Sequence, residues 1–168
     1  MQKRRITPAA KTLLIVLLCC CCALLAACTP PSGQASDVGS GSGETEVKTI
    51  YITTGDNTER IQLADTEAAA ALTYRLAEGD VIVSADDYGG FEKVGGLGFS
   101  LPQGDERLTA QAGDVMLYMG NQIVFFYGGN SYSYTRLGYI AGLPPQHLRE
   151  FLCAGEGKVH ITLSLHRP

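Results

Sequence analysis

The stretch from Ala112 to Ile140, A-G-D-V-M-L-Y-M-G-N-Q-I-V-F-F-Y-G-G-N-S-Y-S-Y-T-R-L-G-Y-I, decides the fold class. It holds five of the chain's eight tyrosines and two of its five phenylalanines. Glycines at Gly120 and at Gly128-Gly129 cut it into three runs. Val115–Met119 and Ile123–Tyr127 are too short, and too rich in β-branched and aromatic residues, for helices, so they are expected as strands. Gly120-Asn121-Gln122 offers the positive-φ residues a tight hairpin needs. From Ser131 to Ile140, small polar side chains alternate with Tyr132, Tyr134 and Arg136, which period 2 places on one strand face. The whole is expected as a three-stranded antiparallel meander.

Upstream, Ile50 and Ile52 alternate on one run and Ile61 and Leu63 on another, giving a first hairpin around Gly55-Asp56-Asn57. Thr66–Ala77 is alanine-rich, with Ala68, Ala69, Leu72 and Leu76 on one face. Asp65 or Thr66 can cap it, and Glu78-Gly79 stops it. Asp80–Ala85 is a further strand. Asp86–Gln103 carries five glycines and no regular period. With Tyr88, Phe91, Leu97, Phe99 and Leu101 in it, this segment is expected as a packed, site-forming loop. Downstream, Pro144-Pro145 opens a short helix through Leu152. Val159–Leu165 alternates as the last strand. About eight strands and two short helices predict a mainly β domain: a closed or nearly closed antiparallel β-barrel.

The ends have different compositions. Lys3, Arg4, Arg5 and Lys11 precede Leu13–Leu25, an apolar run of 13 residues, short for a membrane span and suited to a secretory signal. Leu25-Ala26-Ala27-Cys28 resembles the lipobox of bacterial lipoproteins, which implies a signal peptide over 1–27 and lipidation of Cys28. Residues 28–45, rich in Pro, Gly and Ser, are expected as a flexible tether, and the folded domain as 46–168. Such a protein would be exported and lipid-anchored in the cell membrane, facing the exterior or periplasm. Of six cysteines, four lie in the signal and one is the lipidation site, so Cys153 has no internal partner. Beyond residue 27 the chain carries 9 basic against 17 acidic residues. That balance opposes nucleic acid as a partner.

Several blocks together resemble the bacterial cyclophilin-like-fold family. They are Asp87-Tyr88-Gly89-Gly90-Phe91-Glu92-Lys93-Val94-Gly95, Ser100-Leu101-Pro102, Ala112–Tyr118, Gly120–Gly128 and Asn130–Gly138. The likeness extends from about Val47 to His166; the family usually has tryptophan where Tyr132 stands. It implies a cyclophilin-like β-barrel. Prolyl isomerase activity is not implied, because the F-H-R and F-M-x-Q-G-G-D blocks of true cyclophilins are absent. Similar domains occur fused to, or encoded near, flavodoxin-like and redox proteins, which implies such a partner.

Individual motifs add little chemistry. Gly89–Gly98 lacks G-K-[ST] and a following helix, so it is no phosphate loop. Asp86 and Asp87 are adjacent and point apart in an extended segment. His147, His160 and His166 show no metal-ligand spacing, and no metal or cofactor is expected. What remains is a surface of Tyr88, Phe91, Gln122, Phe126, Tyr132, Tyr134 and Arg136, aromatic faces with a few directional polar groups. Noncatalytic binding of a small molecule or peptide is the favoured reading, and a prolyl isomerase-like enzyme the alternative.

Overall fold

The computed structural model describes residues 48–168. The expected signal peptide, the lipidated Cys28 and the tether lie outside the described residues. Nine strands and two helices follow in the order β1 (Thr49–Thr54), β2 (Asn57–Leu63), α1 (Glu67–Ala77), β3 (Val81–Tyr88), β4 (Glu92–Gly96), β5 (Glu106–Ala110), β6 (Asp114–Tyr118), β7 (Gln122–Phe126), β8 (Asn130–Ala141), α2 (Pro145–Phe151) and β9 (Val159–Ser164). Every pairing is antiparallel. Eight strands close a ring, β2-β1-β9-β3-β4-β7-β6-β8, with β8 pairing back onto β2. The ninth, β5, lies along the first half of β8, with Leu108 opposite Tyr132. Among the described residues no helix is long and apolar enough to cross a membrane.

The alternation visible in the sequence turns one side chain in two toward the ring interior. Ile50, Ile52, Ile61, Val83, Val115, Leu117, Ile123, Phe125, Leu137, Ile161 and Leu163 are buried in one core. The two helices add to it, α1 through Ala68, Leu72 and Leu76, and α2 through Leu148 and Phe151. Helix α1 starts at Thr66, whose Oγ1 accepts from the Ala69 N–H at 3.2 Å and donates to the Arg136 carbonyl at 2.8 Å. The cap thereby fixes the helix both to itself and to β8. The ring closes between β2 and β8 at Gly138, where a Cβ would collide with the Gln62 carbonyl oxygen.

Three expectations need correction. Asp86–Gln103 is not one long loop: β3 runs on to Tyr88, and β4 occupies Glu92–Gly96. Gly95 serves backbone approach, since a Cβ there would lie 2.8 Å from the Ser84 carbonyl oxygen. Nor do the last three runs of the opening stretch form a simple meander. Strand β7 gives its second edge to β4, from Glu92 opposite Phe126 to Gly96 opposite Gln122. The Tyr127 and Gly128 N–H groups then donate to the Phe91 carbonyl, at 3.0 and 2.9 Å, and the chain crosses to reach the far edge of β6. Finally, the hairpin between β6 and β7 takes its positive φ at Met119 (51°) and Gly120 (74°), so Asn121 is not needed for it.

A second, smaller cluster lies on the outer face of the sheet. Ala110, Met116, Val124, Phe126 and Tyr134 form it, with Phe91, Val94, Leu108 and Tyr118 packed alongside. A β-bulge between Val115 and Met116 shifts the β6–β8 register, setting Met116 opposite Arg136. The candidate site sits on this cluster.

Candidate ligand-binding cleft

Strand pairing brings alternate residues of four strands to one outer face. Glu92 stands opposite Phe126, Val94 opposite Val124, and Tyr118 opposite Gln122. Strand β8 adds Tyr132 and Tyr134, two residues apart on the same face. Together with Tyr88 at the end of β3 and Asn130 at the start of β8, these side chains line a cleft of about 410 Å³.

Its wall is a set of tyrosines in edge-on contact. Tyr118, Tyr132 and Tyr134 meet pairwise at centroid distances of 5.9 to 6.2 Å and interplanar angles of 61 to 67°. Such T-shaped pairs set the positive edge of one ring against the negative face of another. Tyr134 also packs edge-on against Phe126 at 5.5 Å, and its hydroxyl accepts from Asn130 Nδ2 at 2.9 Å. Tyr132 remains 50% exposed, so the wall is fixed at its base and open at its rim. The Tyr118 phenol is raised above its ordinary value, first by the neighbouring Tyr132, and the Tyr134 phenol is raised by burial.

The floor carries one ionisable group. Glu92 is only 4% exposed, and its Oε2 has no hydrogen-bond partner among the described residues. Burial alone raises its carboxyl from 4.5 to about 7, because nothing beside it favours the charged form.

Four of the seven residues expected from the sequence meet here: Tyr88, Gln122, Tyr132 and Tyr134. Phe91 and Phe126 lie stacked together, 6.5 Å apart and 6° from parallel, and belong to the cluster that supports the floor. Arg136 does not line the cleft; its guanidinium bonds Asp114 at 3.1 Å, and Asp114 also accepts from the Gln111 N–H. Glu92, Tyr118, Val94, Val124 and Asn130 were not foreseen. In the sequence Glu92 stands between Phe91 and Lys93, and without apolar alternation the segment gives no strand signal that would place it on this face.

The other face of β4 has different chemistry. Lys93, fully buried, turns inward and pairs with Asp87 on β3 at 2.9 Å, while also donating to the Gly157 carbonyl. Asp87 further accepts from Tyr127 Oη at 2.9 Å and from the N–H groups of Gly155 and Gly157 at 3.0 and 2.9 Å. Burial works against its charge, but Lys93, the two amides and Tyr127 outweigh it and hold the carboxyl at about 2. Burial and Asp87 in turn push the Tyr127 phenol up to about 12. Among the described residues no group of three His, Cys, Asp or Glu side chains is placed to hold a metal ion.

Comparison with known proteins places the fold. No curated protein matches the chain. The solution structure of the hypothetical protein AF2241 from Archaeoglobus fulgidus superposes with a TM-score of 0.54 at 14% identity, covering 74% of this chain and 99% of that one. That likeness shows a shared fold. The sequence model of the cyclophilin-like family matches residues 52–164, two-thirds of the chain, and the chain belongs to that family.

Proposed function

We propose that this is an exported, lipid-anchored protein whose cyclophilin-like domain, a closed β-barrel, binds a small molecule or a short peptide segment without transforming it. One observation carries the binding reading: four tyrosines and the buried Glu92 carboxyl, whose Oε2 has no partner among the described residues, converge on a cleft of about 410 Å³. Small-ligand sites fall in the range of about 300–1,000 Å³ and combine aromatic walls with a few polar anchors. Lowering the prolyl barrier of about 18–20 kcal/mol would need a preorganised donor at the prolyl carbonyl or nitrogen. Among the described residues no arginine or lysine lines this cleft. The anchor rests on the sequence alone, through Cys28 and the apolar run before it.

A thermal-shift screen of small molecules and prolyl peptides on the full chain in a non-ionic detergent tests the binding. A ligand at 100 times its Kd stabilises the fold by about 2.7 kcal/mol. Hits should disappear with Tyr132→Ala, a half-exposed wall residue, and persist with Arg136→Ala. A robust isomerase rate abolished by Tyr132→Ala would make the protein an enzyme instead. For the anchor, Cys28→Ser should move the protein from the detergent phase to the aqueous phase on partitioning, because stable attachment needs the buried acyl chains. Unchanged partitioning would sink the lipoprotein reading.

A further inference from the structure

The chemistry of the cleft narrows its ligand. A carboxylate can be buried at tolerable cost when donors or a counter-charge meet it. Among the described residues Glu92 Oε2 has no such partner, and the ammonium of the next residue, Lys93, is held on the other face of the sheet by Asp87 and the Gly157 carbonyl. Among the described residues no basic side chain lines the cleft to supply the counter-charge from within. Its walls are tyrosines, whose negative ring faces attract cations and do little for anions.

We propose that the cleft binds an organic monocation, an alkylated amine or quaternary ammonium group. Its charge is met by the Glu92 carboxylate, and its alkyl groups lie among Tyr88, Tyr118, Tyr132 and Tyr134. This rests on the reading of the cleft as a ligand site, and it names the ligand class. The geometry has both parts such a site requires: aromatic walls on three strands and one carboxylate at the floor. The excess of acidic residues beyond residue 27 also favours the approach of a cation.

The site should be sensitive to pH. The titratable groups facing Glu92 are tyrosines, Tyr88 from β3, Tyr118 from β6, and Tyr132 and Tyr134 from β8. Tyr127 at the end of β7 also feels its charge. Tyr118, Tyr127 and Tyr134 are all raised above the ordinary phenol value, so they stay neutral near pH 7. Asp87 and Lys93 lie on the opposite face, paired with each other. Glu92 itself, near 7, is then the group that switches. Ionised carboxylate rises about tenfold in population from pH 6 to pH 8, and a cation that needs it should gain affinity by about the same factor.

The test is a calorimetric titration of the full chain in a non-ionic maltoside with choline, tetramethylammonium and 3,3-dimethyl-1-butanol, the neutral carbon counterpart of choline. At pH 8 choline should bind about tenfold more tightly than the neutral alcohol. That preference should shrink strongly at pH 6 and in Glu92→Gln, where only the ring faces still favour the cation. Tyr132→Leu, at a half-exposed position, should also weaken choline binding while leaving the melting temperature unchanged. If choline and the alcohol bind alike, or Glu92→Gln leaves choline affinity intact, the cation assignment is wrong and the cleft remains a site for neutral ligands. If no probe binds but the thermal-shift screen yields neutral hits at Tyr132, the assignment fails alone. If both experiments are empty, the cleft reading fails with it.

Discussion

Glu92 and Lys93 are consecutive residues of one strand, both nearly inaccessible, and the protein treats them in opposite ways. Lys93 points into the ring and meets Asp87, which gathers three further donors from Tyr127, Gly155 and Gly157. Glu92 points outward onto the tyrosine cleft and leaves Oε2 without a partner. The same strand geometry thus produces a closed electrostatic unit on one face and an open one on the other. The closed unit joins β3, β4, the end of β7 and the segment before β9, far apart in sequence, so its role is to hold the ring. The open unit contributes no such bond, and its burial weakens the fold at neutral pH. Under the proposed function, that carboxyl is the group an entering ligand meets.

The largest expected effect comes from opening the closed unit. Asp87→Ala leaves a buried ammonium with only the Gly157 carbonyl for company. Breaking a buried pair in this way costs about 3–5 kcal/mol. The double variant Asp87→Ala/Lys93→Met replaces both charges and should recover most of that loss, as seen by urea denaturation at pH 7. A loss below about 1 kcal/mol for the single variant would mean that Lys93 is satisfied by other means, and the contrast between the two faces would collapse.

Glu92→Gln should act in the opposite direction. The folded carboxyl value, about 7, lies above its ordinary 4.5, so between these values the folded state binds more protons than the unfolded chain. Stability therefore falls as pH rises through this window, by up to about 3 kcal/mol once the group is ionised. The variant, which cannot ionise, should match the parent near pH 4 and exceed it by about 3 kcal/mol near pH 8.5. Denaturation at several pH values checks it. If the parent is as stable at pH 8.5 as at pH 5, Glu92 has a partner or ready access to water.

How legible this was in the sequence depended on whether burial followed hydrophobicity. The first hairpin, α1 and β9 could be read because Ile50/Ile52, Leu72/Leu76 and Ile161/Leu163 repeat at the period of their element. Strand β4, E-K-V-G-G, shows no apolar alternation, because its two charged residues are both buried and one of its glycines exists to let β3 approach. Charged residues are rarely buried unless paired, so sequence reasoning places them in solvent and gives no sign of Glu92 or of the strand that carries it. Tyr132 and Tyr134 were found through period 2, and the same rule carried Arg136 with them. Strand face was right for it, but Arg136 sits opposite Met116, one pair beyond the tyrosines, and finds Asp114 there. Periodicity fixes a face; only pairing fixes what lies beside a residue on it. The order β7-β6-β8 was hidden for the same reason, since no local signal tells that β4 will claim the second edge of β7.

The smallest effect tests whether the closed unit is held by its charge pair or by all of its donors. Tyr127→Phe removes the hydroxyl that donates to Asp87 and keeps the ring in the main core. The Arg149 guanidinium, 4.8 Å from the ring centroid, can still lie over a phenyl face, so packing and cation–π contact change little. Asp87 keeps Lys93 and two amides, so no charge is orphaned, and the loss should be that of one hydrogen bond, about 1 kcal/mol. The acid limb should report it too. Asp87 is held at about 2 against an ordinary 3.8, so its contribution is present above the ordinary value and disappears as pH falls toward 2. With one donor gone the folded value rises, and the midpoint of acid unfolding should move upward by a fraction of a pH unit. Near pH 7 and in acid the two readouts should therefore shift together. Loss of stability at pH 7 with an unmoved acid limb would assign the effect to packing of the ring, and leave Lys93 and the backbone amides as the whole of what holds Asp87 in place.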